Sequence, residues 1–462
     1  MRTAVVAPAS KLPHDAPSSP VAIVGAGACG LTAAIALREA GVECVLFERD
    51  ASPQGSTALS SGFIPAAPTR WQQEAGVEDS AEAFAADITH KARGQAAVHL
   101  VHAYTRASAA ALHMLHAHGL AFELLGGFLY PGHALRRMHC LAQRTGAALV
   151  AALEQAAHTA GADLLTQARV NTLYADPQGQ IHGLGYERPD GSLEHLRCAK
   201  LLLANNGFGG NAAMVAELLP EMRNPPFAGH VGNDGSAIIW GQALGAARAD
   251  LGGYQGHGSW VVPQGTLMTW AVLVQGGIQV NRKGERFHDE TQGYSEAAVH
   301  VLAQPDGLAW NLFDDPLLEL ARSFPDFREA EAAGALRSAG DMQALADIIG
   351  CDASVLKRTL DAIDPQSDDR WGRRFERGLQ WPIHAVKVTG ALFHTQGGLD
   401  IDADCRVRRE DGSVFPNLWA AGGAARGVSG NAVWGYMSGN GLLSAVGGGA
   451  IAAATVVEML QG

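Results

Sequence analysis

The first regular pattern of apolar residues begins near residue 21. A β-branched run, Val21 to Val24, is followed by small residues, by a helix-like stretch to about Ala40, and by a second apolar run from Val42 to Phe47. Short apolar runs of roughly four to eight residues are typical of buried strands, and the longer stretch between them has the length of a helix. The pattern predicts a strand, a helix and a second strand.

Three glycines, Gly25, Gly27 and Gly30, lie between the first strand and the helix. Such glycines permit a tight turn, a close approach of the backbone to a pyrophosphate, and close packing of helix on strand. Glu48 follows the second strand, where a carboxylate would bind an adenosine ribose. This unit predicts dinucleotide binding, and by itself it does not distinguish NAD from FAD.

The pattern changes along the rest of the chain. Residues 80–160 are alanine-rich with helical periodicity, whereas residues 163–203 have the character of strands. Between about 252 and 393 aromatic and charged residues are more frequent, with helices predicted from 315 to 365, and residues 395–423 return to strands and turns. We expect a separate domain inserted into the first.

The two ends of the chain bear on localisation. The first 20 residues lack the charged region, long apolar core and twin arginines of an export signal, and residues 1–19 are predicted to be a flexible tail. Residues 441–460 are apolar, but their glycines and small side chains favour a buried helix over a membrane span. We expect a cytoplasmic protein with no membrane span.

Composition argues against two other kinds of partner. A net charge of -12 is unfavourable for binding a phosphate backbone, so no nucleic acid is expected. The six cysteines lie far apart with no metal-ligand spacing, which predicts reduced thiols, and the histidines of residues 102–118 form no cluster with carboxylates. No metal is expected.

Two loops of small residues are candidates for a ligand site. Residues 55–62, GSTALSSG, are rich in hydroxyl groups and suit a pyrophosphate and the rim of a flat ring. Residues 429–443, SGNAVWGYMSGNGLL, carry Trp434 and Tyr436 among glycine, serine and asparagine, just before the apolar C-terminal stretch. Small residues in such a loop allow a ligand to approach the backbone.

These segments together resemble the fumarate reductase and succinate dehydrogenase flavoprotein superfamily. The resemblance extends over nearly everything after residue 20. It rests on seven segments in the expected order: VGAGACG, GSTALSSG, LLLANNGFGGN, GNDGSAIIWGQALGA, VNRKGERFHDE, HTQGGLDID, and NLWAAGG with the glycine-rich terminal helix.

The resemblance implies an α/β fold with a Rossmann-like FAD-binding domain of the glutathione-reductase type. That domain is split in sequence into residues 20–251 and 394–462, with an inserted α+β capping domain at 252–393. The substrate would lie where the two domains meet. The residues expected to bind FAD are Gly25, Gly27, Ala28, Gly30, Glu48, Arg49, Ser56, Thr57, Ser60, Gly62, Val170, Gly207, Asp234, Gly423, Asn440, Leu442 and Leu443.

Departures from the family pattern indicate the substrate. Succinate dehydrogenases attach FAD through a histidine in the loop that corresponds to GSTALSSG, and Ser56 in that place implies non-covalent FAD. Fumarate reductases carry one arginine just after the GERFxxE segment and another in the loop before the terminal helix. Here Tyr294 and Tyr436 stand at or beside those places, whereas Arg286 and Arg426 fall outside them.

The replacements resemble the 3-ketosteroid dehydrogenase branch, in particular the subgroup that desaturates the 4,5 position of 3-keto-5α-steroids. In that subgroup two tyrosines and a serine surround the ketone, which carries over to Tyr294, Tyr436 and Ser438. The implied reaction removes a proton from the α-carbon and passes a hydride from the β-carbon to flavin N5. An external acceptor, a quinone, a carrier protein or oxygen, would reoxidise the flavin.

We assign Tyr436 as the proton acceptor, Ser438 as its hydrogen-bond partner and Tyr294 as the residue that polarises the carbonyl or relays a proton. The sequence leaves the roles of the two tyrosines exchangeable. A helix beginning near Asn440 would favour the phenolate of Tyr436, because a helix N-terminus stabilises negative charge. The same helix end would stabilise the reduced flavin.

Further residues are expected to line the substrate pocket, namely Trp434, His257 and His394. Two other functions stay open from the sequence. One is a fumarate-reductase-like enzyme that reduces a C=C bond of a carboxylate substrate, and the other is a flavin-binding redox subunit.

Overall fold

The computed structural model describes residues 4–461. Its strands are β1 (Val5–Pro8), β2 (Ser18–Val24), β3 (Cys44–Phe47), β4 (Ile64–Pro65), β5 (Glu123–Leu124), β6 (Met138–Cys140), β7 (Asp163–Leu165), β8 (Arg169–Ala175), β9 (Ile181–Glu187), β10 (Leu193–Leu203), β11 (Arg248–Ala249), β12 (Tyr254–Val261), β13 (Thr266–Leu267), β14 (Ile278–Val280), β15 (Leu308–Asp314), β16 (Arg337–Ala339), β17 (Ile383–Thr395), β18 (Gly398–Leu399), β19 (Arg406–Arg408) and β20 (Val414–Ala420).

The helices alternate with these strands. They are α1 (Ala28–Glu39), α2 (Gly55–Ala58), α3 (Arg70–Glu74), α4 (Ala81–Lys91), α5 (Val98–Ala117), α6 (Gly146–Thr159), α7 (Ala212–Leu218), α8 (Ser236–Leu244), α9 (Ala271–Val274), α10 (Tyr294–Leu302), α11 (Asp315–Arg322), α12 (Pro325–Ala332), α13 (Met342–Ile349), α14 (Ala353–Asp361) and α15 (Asn440–Gln461).

The larger sheet has nine strands, with β1, β8, β9, β10, β2, β3 and β7 in that spatial order; β20 also pairs with β10, and β19 pairs with β20. Strand β2 pairs in parallel with both β3 and β10, so the first βαβ unit lies at the centre. The β2 residues Val21 to Ile23 are fully buried, as expected for a strand covered on both faces. The predicted α/β fold is confirmed.

The C-terminal helix packs across the first helix. Its glycines permit this close approach: a Cβ atom added at Gly449 would lie 2.5 Å from the carbonyl oxygen of Cys29 on α1. Helix α5 packs on the other side, where Gly448 lies near the ring of Tyr104. This packing fixes α15 against α1 and α5.

Within residues 4–461, α15 is the one helix that is long and apolar enough to cross a membrane. Half of its most apolar 18-residue stretch is buried in the protein. Its buried residues include Val446, Gly447 and Ala452. The helix packs on α1 and α5, in agreement with the buried helix predicted from its small residues.

The prediction of a flexible tail over residues 1–19 is wrong for the part of it that the structure describes. Residues Val5 to Pro8 form β1, which pairs in parallel with β8 from Val5 opposite Thr172 to Pro8 opposite Ala175. Proline has no backbone N–H to donate, but at the end of an edge strand no hydrogen bond between strands is lost. This segment can therefore form the edge of the sheet although it contains a proline. Residues 1–3 lie outside the described residues.

A second sheet of six strands is built from residues 254–395, with β13, β12, β17, β15 and β14 in order and β16 beside β17. Helix α10 packs on β12 and β17. The hydrophobic cores around this second sheet are separate from the core of the larger sheet. One of them includes Phe313, Phe327 and Val386. The exact domain boundaries stay a prediction.

Candidate active site

A large cavity lies between the two sheets, with an empty volume of about 1980 Å³ including its open mouth. Its lining runs from Gly25 and Glu48 at one end to Tyr294 and Tyr436 at the other, which suits a cofactor together with a substrate. Of the residues predicted to bind FAD, those that line it are Gly25, Gly27, Ala28, Glu48, Arg49, Ser56, Thr57, Ser60, Gly62, Val170, Asp234, Gly423 and Leu442.

The nucleotide end of the cavity, lined by Gly25, Gly27, Glu48 and Arg49, is formed where β2 and β3 end. The Glu48 carboxylate accepts hydrogen bonds from the backbone N–H of Ala26 at 3.1 Å and of Asp50 at 3.0 Å. Burial raises the pKa of this carboxyl, and these N–H groups oppose the rise. The carboxylate is thus fixed at the edge of the cavity, where it can accept from ribose hydroxyls.

The hydroxyl-rich loop at residues 55–62 forms the next part of the wall. The Thr57 hydroxyl accepts a hydrogen bond from the Ala28 N–H at 3.1 Å, at the beginning of α1. The Ser56 hydroxyl accepts one from the Asn233 side chain at 2.8 Å. These bonds hold the loop against the helix N-terminus, where a pyrophosphate would be bound.

Four of the residues predicted to bind FAD do not line the cavity, and two of these are glycines that allow close packing. A Cβ atom on Gly30 would lie 2.0 Å from the Gly25 carbonyl oxygen, and one on Gly207 would lie 2.0 Å from the Thr395 hydroxyl. Such approaches exclude any side chain. These glycines therefore shape the site without touching its occupant.

The other two lie within the protein interior. The Asn440 side chain is fully buried and donates a hydrogen bond of 3.0 Å to the Ser429 hydroxyl. Leu443 is part of the main hydrophobic core. Both therefore stabilise the beginning of α15 from the protein interior.

The substrate end of the cavity is lined by Tyr294, Tyr436, Ser438, His257 and His394, all of them predicted from the sequence. The rings of Tyr294 and Tyr436 lie 6.1 Å apart between centroids. His257 stacks on Tyr294 at 4.7 Å, and His394 meets Tyr436 edge-on at 5.6 Å. The two tyrosines are therefore held together although they come from opposite sides of the cavity.

Burial makes both phenols weaker acids. It raises the pKa of Tyr294 to about 12, and the neighbouring hydroxyls of Ser438 and Tyr436 oppose the rise. Burial also raises the pKa of Tyr436, Tyr294 adds to this, and the backbone N–H groups of Gly441 and Gly439 oppose it. Ser438 acts on Tyr294, whereas the sequence paired it with Tyr436.

The two histidines are neutral hydrogen-bonding groups. Burial lowers the pKa of His257 to about 3 and that of His394 to about 4. The Nδ1 atom of His257 accepts from the Ser259 N–H at 3.1 Å, and the Nδ1 atom of His394 lies 3.0 Å from the Gln396 side-chain nitrogen. With Nδ1 as acceptor, the His257 ring carries its proton on Nε2, whereas Nδ1 of His394 also lies 3.2 Å from the Thr395 carbonyl oxygen.

Trp434 does not line the cavity, so its prediction as a pocket wall is wrong. The guanidinium group of Arg93 lies over its ring, 4.4 Å from the centroid. This cation–π contact draws the indole towards the segment that follows α4 and leaves Tyr436 to face the cavity. Trp434 supports the loop from outside.

No arginine side chain lines the substrate end within residues 4–461. The lining arginines are Arg49 and Arg169, and both pair with Asp234 at the nucleotide end. Arg286 binds Glu290 through two hydrogen bonds of 3.0 and 2.6 Å, and Arg426 pairs with Asp250 at 2.6 Å. A dicarboxylate would therefore find no guanidinium partner here.

Two lining residues have no signal in the sequence. Tyr130, from the loop between β5 and β6, packs with Tyr294 and Tyr436. Asp326, in the first turn of α12, faces the cavity from the smaller sheet's side. Neither stands in a recognisable motif, and only the folded chain brings them to the site.

The chain is similar in sequence and structure to known flavoproteins. The family described as FAD binding domain matches residues 20–442. The chain belongs to that family. Its relatives and structural neighbours include fumarate reductases and 3-ketosteroid dehydrogenases, which confirms the predicted superfamily and FAD as the cofactor. The protein is an FAD-dependent oxidoreductase.

Two curated relatives differ in the reactions they are named for. An NADH:fumarate oxidoreductase of Klebsiella pneumoniae (strain 342) is 25% identical over 421 residues, which cover 89% of this chain and 45% of the relative. A 4-oxocyclohexanecarboxylate 2-dehydrogenase of Sinomonas cyclohexanicum is 25% identical over 513 residues and 87% of each chain. The chain thus spans less than half of the former and most of the latter.

Solved structures show the same fold. A flavocytochrome c3 fumarate reductase superposes with a TM-score of 0.81 at 25% identity, over 96% of this chain and 78% of that one. The 3-ketosteroid-Δ4-(5α)-dehydrogenase of Rhodococcus jostii RHA1 gives 0.79 at 23% identity, over 99% and 100%.

The residues present fit FAD. Buried polar atoms without a protein partner, Asn205 Oδ1 and Ser444 Oγ, belong to residues that line the cavity. Buried polar groups are normally hydrogen-bonded, so these atoms indicate a ligand. Together with Glu48 and the loop around Thr57 they supply acceptors and hydroxyls along the cavity.

Proposed function

We propose that the protein desaturates a saturated cyclic or steroidal ketone next to its carbonyl group, with FAD as the oxidant. One observation carries this proposal. Tyr294, Tyr436 and Ser438 converge on the substrate end of the cavity, and the arginines that line it lie at the other end. Hydroxyl groups suit a neutral carbonyl, whereas a dicarboxylate would need cationic partners.

The reaction breaks two C–H bonds. The α-carbon loses a proton, the β-carbon loses a hydride, and a C=C bond forms between them. Bound FAD supplies the hydride acceptor. The carbonyl oxygen gains negative charge as the proton leaves, so donors aimed at that oxygen should contribute most to the rate.

The contacts of Tyr294 with two hydroxyl groups and a stacked histidine support the exchanged assignment of the two tyrosines. Tyr294, with the Tyr436 and Ser438 hydroxyls beside it, accepts the α-proton. Tyr436, whose pKa is raised by burial, keeps its proton and donates a hydrogen bond to the ketone oxygen. The neutral His257 stacked on Tyr294 holds the accepting ring in place.

FAD is bound non-covalently in this proposal, because Ser56 occupies the loop position where a histidine would form the link. The reduced cofactor passes its electrons to an external acceptor, a quinone, a carrier protein or oxygen. The protein acts in the cytoplasm. The Sinomonas relative, named for a dehydrogenation of a cyclic ketone and similar along most of its length, supports this reaction class.

A second candidate is the reduction of a C=C bond in a carboxylate substrate. The Klebsiella relative, named for fumarate, favours it. The position of the arginines opposes it, since Arg49 and Arg169 are engaged with Asp234. The ketone reaction is therefore preferred.

Anaerobic mixing of the FAD-loaded protein with saturated ketones and with succinate separates the two. We expect a 3-keto-5α-steroid or a substituted cyclohexanone to bleach the flavin absorbance, and succinate to leave it unchanged. Bleaching by succinate alone would refute the proposal. The product of a positive reaction should be the α,β-unsaturated ketone, identified by mass and by its ultraviolet absorbance.

A further inference from the structure

One carboxylate in the cavity is not used by the proposed reaction. The acidic residues that line the cavity are Glu48, Asp50, Asp234 and Asp326. The first three lie at the nucleotide end, where each has a hydrogen-bonding or ionic partner. Asp326 comes from α12, outside the βαβ unit that forms the nucleotide end, and its side chain contacts Ser61 of the hydroxyl-rich loop.

Asp326 is poorly satisfied by the protein. Its one hydrogen bond comes from the Ser61 hydroxyl at 3.4 Å, beyond the roughly 2.5–3.0 Å usual for O–H···O bonds. No lysine, arginine or histidine within residues 4–461 forms an ion pair with it, and the nearby Arg328 donates instead to the Arg322 carbonyl oxygen at 2.7 Å. A half-buried carboxylate with one long hydrogen bond can accept a further donor.

Aromatic rings connect Asp326 to the catalytic tyrosines. Both Tyr294 and Asp326 lie near enough to Tyr130 to raise the pKa of its phenol, in addition to the larger effect of burial. Phe128 packs on Tyr130 at 5.0 Å and on Phe324 at 5.9 Å. Tyr130 thus neighbours both Tyr294 and Asp326, and the apolar side chains of Phe63 and Phe324 line the same cavity.

This arrangement suits the binding of an elongated molecule. The tyrosines hold the carbonyl, the aromatic side chains contact an apolar body, and the carboxylate meets the far end. Burial raises the pKa of Asp326, as does Glu329, while Ser61 and Arg328 act against it. Either protonation state offers an oxygen acceptor, and the ionised state repels an anion.

We propose that Asp326 selects ketones that carry a hydrogen-bond donor or a cation at the end remote from the carbonyl, and rejects keto acids. This inference rests on the proposed function. It predicts that the chain differs in substrate from its Sinomonas relative, whose named substrate is a keto carboxylate.

The test uses two series of ketones, cyclohexanones substituted at position 4 and 3-oxo-5α-androstanes substituted at position 17. In each series the substituent ends in a hydroxyl, an amine or a carboxylate. Second-order rates of flavin reduction are measured for the FAD-loaded wild type, Asp326→Asn and Glu329→Gln. The asparagine keeps the size of the side chain and its contact with Ser61. Glu329→Gln removes the same charge from the same helix outside the cavity.

We expect the wild type to prefer the amine and the hydroxyl to the carboxylate. Asp326→Asn should shift the ratio of amine to carboxylate rates by about tenfold or more towards the carboxylate, the usual effect of losing a charge-assisted hydrogen bond. Glu329→Gln should leave that ratio as in the wild type. A wild-type preference for the carboxylate, or the same ratio in both variants, would overturn the inference.

If no ketone reduces the flavin, the proposed function fails, and the inference is then decided by binding. The affinities for the same compounds are measured from the change that they cause in the flavin absorption spectrum. Weaker binding of the amines to Asp326→Asn, with carboxylate binding unchanged or tighter, still supports the role of Asp326. Equal affinities in the wild type and the variant contradict it.

Discussion

The ammonium group of Lys91 donates a hydrogen bond of 2.8 Å to the carbonyl oxygen of Gln292. Lys91 is the last residue of α4, whereas Gln292 stands two residues before Tyr294. The same ammonium pairs with the Glu296 carboxylate in the first turn of α10. One partly buried cation thus connects the helix that begins with Tyr294 to the part of the chain that packs around the larger sheet.

We predict that Lys91→Ala lowers the rate of flavin reduction because Tyr294 moves relative to Tyr436. A misplacement of about 1 Å can cost about 10²-fold in rate. The measurement is single-turnover reduction of the bound FAD at saturating ketone, with FAD content checked by absorbance. Lys91→Arg should restore part of the rate, since it keeps the cation.

The matched control is Lys357→Ala, which removes an exposed ion pair with Asp361 on α14. We expect it to leave the rate unchanged. A Lys91→Ala protein with wild-type rates would show that the contact does not position Tyr294.

Gly30 should tolerate no side chain. In Gly30→Ala the new methyl group would lie 2.0 Å from the Gly25 carbonyl oxygen, which is backbone and cannot move without distorting the nucleotide turn. We expect loss of bound FAD and destabilisation of about 1–3 kcal/mol or more. Thermal unfolding and FAD fluorescence measure the two effects.

Gly340→Ala is the control for that substitution, because a Cβ atom there meets no atom within 4 Å. It should retain FAD and unfold as the wild type does. FAD binding by Gly30→Ala at wild-type affinity would contradict the assigned nucleotide turn.

The rate should rise with pH if Tyr294 accepts the proton. Burial raises its pKa to about 12, so the phenolate fraction is small at neutral pH and grows about tenfold per unit until that value is approached. His257 and His394 are neutral above pH 5, because their pKa values are lowered to about 3 and about 4. They should add no inflection near pH 6.5.

Single-turnover flavin reduction between pH 6 and pH 10 tests this. We expect the logarithm of the second-order rate constant to rise with pH throughout. A flat profile, or one controlled by a group that titrates near pH 6.5, would contradict the assignment of Tyr294.

The central fold and the nucleotide turn could be predicted because their signals are local. Gly25, Gly30 and Glu48 stand at fixed spacings between apolar runs, and backbone geometry makes such spacings informative. Segment β1 was missed because Val5–Pro8 is short, and its stability comes from pairing with β8. Sequence-local patterns do not reveal such a partner.

The site was predictable only in part for the same reason. Tyr294 and Tyr436 flank recognisable segments, so they could be named. Trp434 was misplaced because its partner, Arg93, is far away in sequence. Tyr130 and Asp326 reach the cavity through a loop and a short helix whose positions depend on packing between the two sheets.

The most direct test compares Tyr294→Phe and Tyr436→Phe with the wild type in anaerobic single-turnover reduction by a ketone that bleaches the wild-type flavin. Each variant loses one hydroxyl and keeps the ring, so FAD should remain bound. We expect each rate to fall by about 10²-fold or more, in the range of proton-transfer and oxyanion contributions. Wild-type rates in both FAD-loaded variants would contradict the assignment of the reaction to the tyrosine pair.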